Sequence, residues 1–224
     1  MKIRALFFDL DGLLFDTERL YCRFWNQAAN EIGYEIPEET LMQLRSCDSV
    51  IAAERLEKGL GVSGVYPKIR ARRKELMSAY MRTHRPPLKS GVAEFMKKVS
   101  ERTELKKLVV TQSATQVQKE EKEDLLRGAG ILDCLDGIVT AAEVKRGKPF
   151  PDIYLYACGA ALAQPDECIA YEDSPNGIEA ASSAGVHAIM IPDLTQPDEA
   201  LAERCFGIYP TILDSYEAIK PYLI

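Results

Sequence analysis

Histidine is scarce in this 224-residue chain, and paired cysteine motifs are absent. His84 and His187 are the only imidazoles, too few for a histidine-built zinc site. The six cysteines, Cys22, Cys47, Cys134, Cys158, Cys168 and Cys205, are scattered without a Cys-x-x-Cys pair. They read as free, mostly buried thiols in a reducing cytoplasm. No apolar run approaches the roughly 20 residues of a membrane span. The first apolar run is too short for a secretory leader and leads straight into acids. Lysine and arginine number 28 against 34 acids, a net charge of −6 that excludes the basic face of a general nucleic-acid binder. Internal repeats and low-complexity segments are also missing. The expectation is a cytoplasmic protein with neither a membrane nor a nucleic acid as partner.

What is present begins at residues 3–8, Ile3-Arg4-Ala5-Leu6-Phe7-Phe8, a short run whose aromatic and branched side chains read as a buried strand. It runs directly into Asp9-Leu10-Asp11-Gly12. Two ionised carboxylates at the end of a buried strand are costly unless a cation or hydrogen bonds compensate. A metal site at the carboxyl edge of a sheet, with one acid free for chemistry, is the economical explanation.

Beyond it, Thr17 is placed to cap a helix reaching about Ile32, with Tyr21, Trp25, Ala28, Ala29 and Ile32 at helical spacing and Gly33 at its stop. Residues 37–44, 49–58 and 67–83 continue in a charge-rich, wholly helical pattern, until Pro86-Pro87 interrupts the chain. A helix from Gly91 to about Glu101 follows. The character then changes: strand-like runs at 105–110, 137–140, 168–171 and 186–191 alternate with helical patterns at 116–128, 152–162 and 175–184. A short strand at 206–209 and a last helix from Asp214 complete the chain. Such alternation predicts an α/β fold, a doubly wound parallel sheet with helices on both faces. The all-helical block is then an insertion: residues 1–16 and 86–224 form the α/β core domain, and 17–85 a helical domain.

In a doubly wound sheet, ligands bind beyond the carboxyl ends of the strands. Four strand ends here carry reactive residues. The first bears Asp9 and Asp11. The second ends in Thr111-Gln112-Ser113, a hydroxyl and backbone N–H groups at a helix start that suit a phosphate. The third leads into Lys145-Arg146-Gly147-Lys148-Pro149-Phe150-Pro151-Asp152, where the prolines hold the Lys148 backbone rigid. The fourth ends in Glu172-Asp173-Ser174-Pro175, two more acids ahead of a helix that opens on proline. Singly, these are a turn, a helix cap, a surface lysine and a favourable helix start. Their order and placement are what point to a site.

With these residues the chain resembles the haloacid dehalogenase superfamily, in the branch with a helical cap inserted after the first motif. Asp9-Leu10-Asp11-Gly12-Leu13-Leu14-Phe15-Asp16-Thr17-Glu18 matches the first motif, Thr111 the second, Gly147-Lys148-Pro149-Phe150-Pro151-Asp152 the third, and Glu172-Asp173-Ser174-Pro175-Asn176-Gly177 the fourth. The resemblance covers nearly the whole chain and is nearest to the β-phosphoglucomutase-like phosphatases, including sugar-phosphate and pseudouridine-monophosphate phosphatases. It implies a Rossmann-like core and a magnesium-dependent phosphatase acting on a small phosphate ester through an aspartyl-phosphate. It further implies Asp9 as nucleophile and metal ligand, and Asp11 as general acid and base whose backbone carbonyl also faces the metal. Asp173 is then a ligand, and Glu172 an auxiliary or supporting one. Thr111, Gln112 and Lys148 grip the phosphoryl oxygens. The cap type implies a monomer.

On the cap, the resemblance places a substrate-specificity loop at Leu44-Arg45-Ser46-Cys47-Asp48-Ser49, which makes Arg45 and Ser46 candidates. Tyr21 stands where the mutases carry a histidine that gates proton transfer. Ser46 and Ser49 stand where those mutases carry a glycine and an arginine. These departures favour hydrolase over mutase, with a catalytically silent ligand-binding member as a further alternative. Gln112 also departs, asparagine or serine being common there. Arg70, Arg72, Arg73 and Lys74 form a basic cluster that reads as a solvated helix face, from which Arg73 could reach an anionic substrate group.

Overall fold

The structure, a computed structural model, describes residues 1–112 and 115–224. Ser113 lies outside the described residues. Six parallel strands form one sheet in the order β3-β2-β1-β4-β5-β6. They are β1 (Ala5–Phe8), β2 (Lys106–Thr111), β3 (Gly137–Thr140), β4 (Cys168–Glu172), β5 (His187–Met190) and β6 (Gly207–Ile208). The chain builds outward from β1 in one direction, then returns to add β4, β5 and β6 on the other side. The order therefore reverses between β1 and β4, and this is where a doubly wound sheet opens its binding crevice.

Alternation along the strands divides the core into two layers. Leu6 and Phe8 of β1, Val109 of β2 and Tyr171 of β4 join one cluster with α5 (Val92–Ser100), α6 (Gln116–Gly128) and α10 (Tyr216–Ile219). Ala5, Phe7, Val110 and Ala170 point the other way, onto α7 (Asp152–Ala161) and α8 (Pro175–Ser183). Both faces are covered, so the strand interiors are apolar on both sides, as expected for a parallel sheet, and polar residues stand at the strand ends. The expected short strand is β6, a two-residue edge. A five-residue helix, α9 (Glu199–Glu203), had no sequence expectation because so short a segment shows no helical period.

The helical block comprises α1 (Glu18–Asn30), α2 (Glu38–Gln43), α3 (Ser49–Leu60) and α4 (Tyr66–Met81). It has its own core, built on Trp25, Ala29, Leu41, Leu56 and Ile69. The segments that leave and re-enter the sheet domain run side by side: Asp16 N donates to Pro87 O at 3.1 Å and Lys89 N to Leu14 O at 2.9 Å. Thr17 occupies the N-cap position of α1 but makes no side-chain capping bond. Its hydroxyl instead donates to Asp11 Oδ1 at 2.8 Å, which corrects the capping expectation: the charge-assisted bond to a carboxylate sets the side-chain rotamer, and the hydroxyl oxygen accepts from no helix N–H. All six cysteines are free, but only Cys158 and Cys168 are buried, fewer than expected. Among the described residues, no helix is long and apolar enough to cross a membrane.

Candidate active site

Strand register assembles the site. Phe8 pairs with Val109 on one side and Tyr171 on the other, so the next residue, Asp9, lies between the ends of β2 and β4. Asp9 N donates to Tyr171 O at 3.0 Å, which anchors the turn. The chain then bends sharply at Gly12, whose φ of 89° is left-handed. A Cβ there would collide with the Asp173 carboxylate, so both the turn and the closeness of the two loops require glycine. Gly177 lets α8 approach Glu172 in the same way.

Lys148 is fully buried and lies behind Asp9. Its ammonium donates to Asp9 Oδ1 and to Val110 O at 3.1 Å, and sits 2.6 Å from Glu172 Oε1. Three partners use its three donors. Burial alone would lower its pKa, but Asp9 and Glu172 outweigh burial and hold it above the ordinary value. Gln112, expected to touch phosphate, accepts the Lys148 backbone N–H on Oε1 at 3.1 Å and so positions the lysine loop. Thr111 is buried at the end of β2 and lines the same cavity as Asp9 and Asp11.

Asp9, Glu172 and Asp173 form a buried cluster in which one oxygen from each lies within 4.8 Å of the others. Tyr154 from α7 donates to Glu172 Oε1. Burial raises Asp9 despite Lys148, pushes Glu172 up to about 7 despite Lys148, and raises Asp173 well above its ordinary value despite Arg45. Three oxygens there, Asp9 Oδ2, Asp173 Oδ1 and Glu172 Oε2, are buried without a hydrogen-bond partner. Three buried carboxylates with oxygens this close, each with one oxygen left unpartnered, are the kind of donor set that a hard divalent cation takes. The residues present fit magnesium.

The helical block contributes more than expected. Arg45 is buried and lines the cavity, and each of its nitrogens makes one bond: Nε donates to Glu18 Oε2 at 3.0 Å, Nη1 to Thr195 Oγ1 at 2.9 Å, and Nη2 to Asp173 Oδ2. Burial pushes Glu18 up to about 7, with Arg45 opposing. Asp48 docks the same loop on the lysine segment, donating its N–H to Lys148 O at 2.7 Å and accepting from Gly147 N at 3.1 Å. Ser46, with a left-handed φ of 44°, faces the cavity.

Sequence reasoning missed Lys122. From α6 it donates to both Asp11 oxygens, at 2.9 and 2.7 Å, and to the Tyr21 hydroxyl at 3.4 Å. It is lost in the run Lys119-Glu120-Glu121-Lys122-Glu123-Asp124, which looks solvated. Its spacing of three and four from the buried Leu125 and Leu126 was the available signal, since those positions share a helix face. Glu18, Thr195 and Tyr154 were missed as partners because only the folded chain brings them to the site.

Asp9, Asp11 and Thr111 open onto a cavity of about 770 Å³ roofed by the helical block, whereas Lys148, Glu172 and Asp173 stand behind Asp9. A buried carboxylate, a second acid beside it, a buried lysine and a cation-ready acidic cluster thus meet at the switch point of a doubly wound sheet. The sequence profile of the haloacid dehalogenase-like hydrolases matches residues 3–185, and the chain belongs to that family. It is 29% identical over 191 residues to the phosphorylated carbohydrates phosphatase of Thermotoga maritima, across 84% of each chain. It is 30% identical over 196 residues to the β-phosphoglucomutase of Bacillus subtilis, across 84% of this chain and 82% of that one. The structure of CbbY from Rhodobacter sphaeroides in complex with phosphate aligns with a TM-score of 0.74 at 25% identity, over 95% of this chain and 96% of the other.

Proposed function

We propose that the protein is a magnesium-dependent phosphatase that hydrolyses a small phosphorylated metabolite, a sugar phosphate or nucleoside monophosphate, through an aspartyl-phosphate on Asp9. The supporting observation is the unpartnered Asp9 Oδ2, buried yet carried by a residue that lines the cavity. Asp9, Asp173 and Glu172, with the Asp11 carbonyl, would hold the cation. When bound, it neutralises phosphoryl oxygen charge during transfer.

The chain's own residues supply the remainder. An Asp9 oxygen attacks phosphorus in line as the bond to the leaving oxygen breaks. Asp11 delivers a proton to that oxygen, then takes one from the water that attacks the same phosphorus and restores Asp9. Lys148 offsets the negative charge shared by Asp9 and the phosphoryl group, and Thr111 offers its hydroxyl to a phosphoryl oxygen. Residues 17–85 act as a cap that closes over the cavity and keeps water out of the first transfer.

Phosphate release over a panel of sugar phosphates and nucleoside monophosphates with magnesium tests this. Release from one class supports the proposal. The identity to the Bacillus β-phosphoglucomutase favours a second reading, a mutase. Interconversion of glucose phosphate isomers with a bisphosphate activator would establish that instead. Absence of turnover on every ester would leave a ligand-binding protein.

A further inference from the structure

The basic cluster on α4 does not form one solvated face. Arg72 points outward and pairs with Glu31 at 2.5 Å and Glu75 at 3.0 Å. Arg70, Arg73 and Lys74 lie at the i, i+3 and i+4 positions of the opposite side and line the cavity into which Asp9 and Asp11 open. Among the described residues, none of these three has a carboxylate within 4.0 Å. Glu121 on α6 is the acid that acts on Lys74, from beyond that distance. Like charges so spaced on one helix repel each other, and nothing in the cap neutralises them.

Arg73 is the most confined. Its guanidinium lies 5.1 Å from the Tyr21 ring centre and 5.0 Å from that of Trp25, a clamp that holds the cation while leaving its hydrogen-bonding edge unused. Its Nε is buried with no partner. Burial, with the adjacent Arg70 adding to it, lowers its pKa. A buried guanidinium N–H without an acceptor is costly, whereas the planar fork, half-buried at the cavity wall, matches a phosphate or carboxylate. Trp25 is covered by Arg73 on its ring and stacked with Tyr66 at 5.9 Å, so its faces are not open for a nucleobase.

We propose that Arg73, with Arg70 and Lys74, forms a second anion subsite in the cavity roof, which selects substrates carrying a phosphate or carboxylate remote from the phosphoryl group attacked by Asp9. It rests on the phosphatase reading for its place in catalysis, but the binding it describes is independent of turnover.

Three compounds separate the possibilities: glucose 6-phosphate, glucose 1,6-bisphosphate and 6-phosphogluconate, with a neutral, a phosphate and a carboxylate second end. Both kcat/KM for phosphate release with magnesium and metal-free calorimetric affinity are measured for wild type, Arg73→Gln and Arg73→Lys. Wild type should favour at least one dianionic-ended or carboxylate-ended compound by about tenfold or more, the scale of one charge-assisted contact. Arg73→Gln should collapse that ratio toward one, and Arg73→Lys should keep part of it. The arm that wins names the anion. Equal values for the three compounds in wild type, or a preference that survives Arg73→Gln, would overturn the subsite. Turnover without the preference defeats the subsite and leaves the phosphatase standing. An Arg73-dependent binding preference without turnover on any ester does the reverse.

Discussion

Lys122 donates to both carboxylate oxygens of Asp11, and Thr17 donates to one of them, so this acid is held from the core helix α6 and from the first residue before α1. The same ammonium reaches Tyr21 on α1. The acid proposed to move the proton is thereby fixed by partners on both sides of the cavity.

Replacing Asp11 with Ala should slow alkyl phosphates, whose leaving groups need a proton, about a hundredfold or more. An aryl phosphate with a good leaving group should lose much less. Lys122→Met should show the same ordering with a smaller loss, because Asp11 stays but loses its direction. Rates on the two ester types for each variant decide it; equal losses on both would remove Asp11 from the acid role.

Arg45 joins Glu18 to Asp173. Arg45→Met leaves both acids buried without their cation, and breaking such a pair costs roughly 3–5 kcal/mol. At pH 8, thermal melting should fall by roughly 10 °C for a chain of this size. The fall should be smaller at pH 6, where Glu18, with its value near 7, is protonated and needs no partner. A loss independent of pH would contradict the burial of this charge pair.

In the same direction as Asp9 and Asp173, Glu18 and Glu172 contribute to the pH dependence of the metal-free protein. Both are raised from 4.5 to about 7 by burial, so the folded chain keeps protons that the unfolded chain releases. Their effect is therefore absent below pH 4.5, destabilises the fold progressively as pH rises from there toward 7, and levels off above it. Glu31, Glu57 and Glu143 are shifted downward and act below that window. Magnesium needs the ionised cluster, so the rise in melting temperature on replacing EDTA with magnesium should be large at pH 8 and small at pH 5.5. A rise independent of pH would argue against binding at these acids.

Much of the site was legible because its parts follow strand ends. The apolar runs in β1, β2, β4 and β5 are long enough to read, and Asp9, Thr111 and Glu172-Asp173 stand at the ends of three of them. Lys148 could be singled out by its prolines. What was not legible depended on which way a helix turns. Arg72 and Arg73 are neighbours in sequence, yet one meets Glu31 in solvent and the other stacks on Tyr21 and Trp25 in the cavity. Arg45 lines the cavity, and its pairing with Asp173 links positions 128 residues apart, beyond any local pattern.

The central claim is that Asp9 is the nucleophile. Asp9→Asn keeps the shape, leaves Lys148 its contact with Glu172 at 2.6 Å, and removes one acid from a crowded buried cluster. Phosphate release from an activated aryl phosphate, with magnesium present and folding verified by thermal melting, is the direct measurement. The variant should melt no lower than wild type at pH 8 and lose turnover by more than about a thousandfold, as nucleophile removal does. A folded variant that hydrolyses the ester at a near-native rate would contradict it.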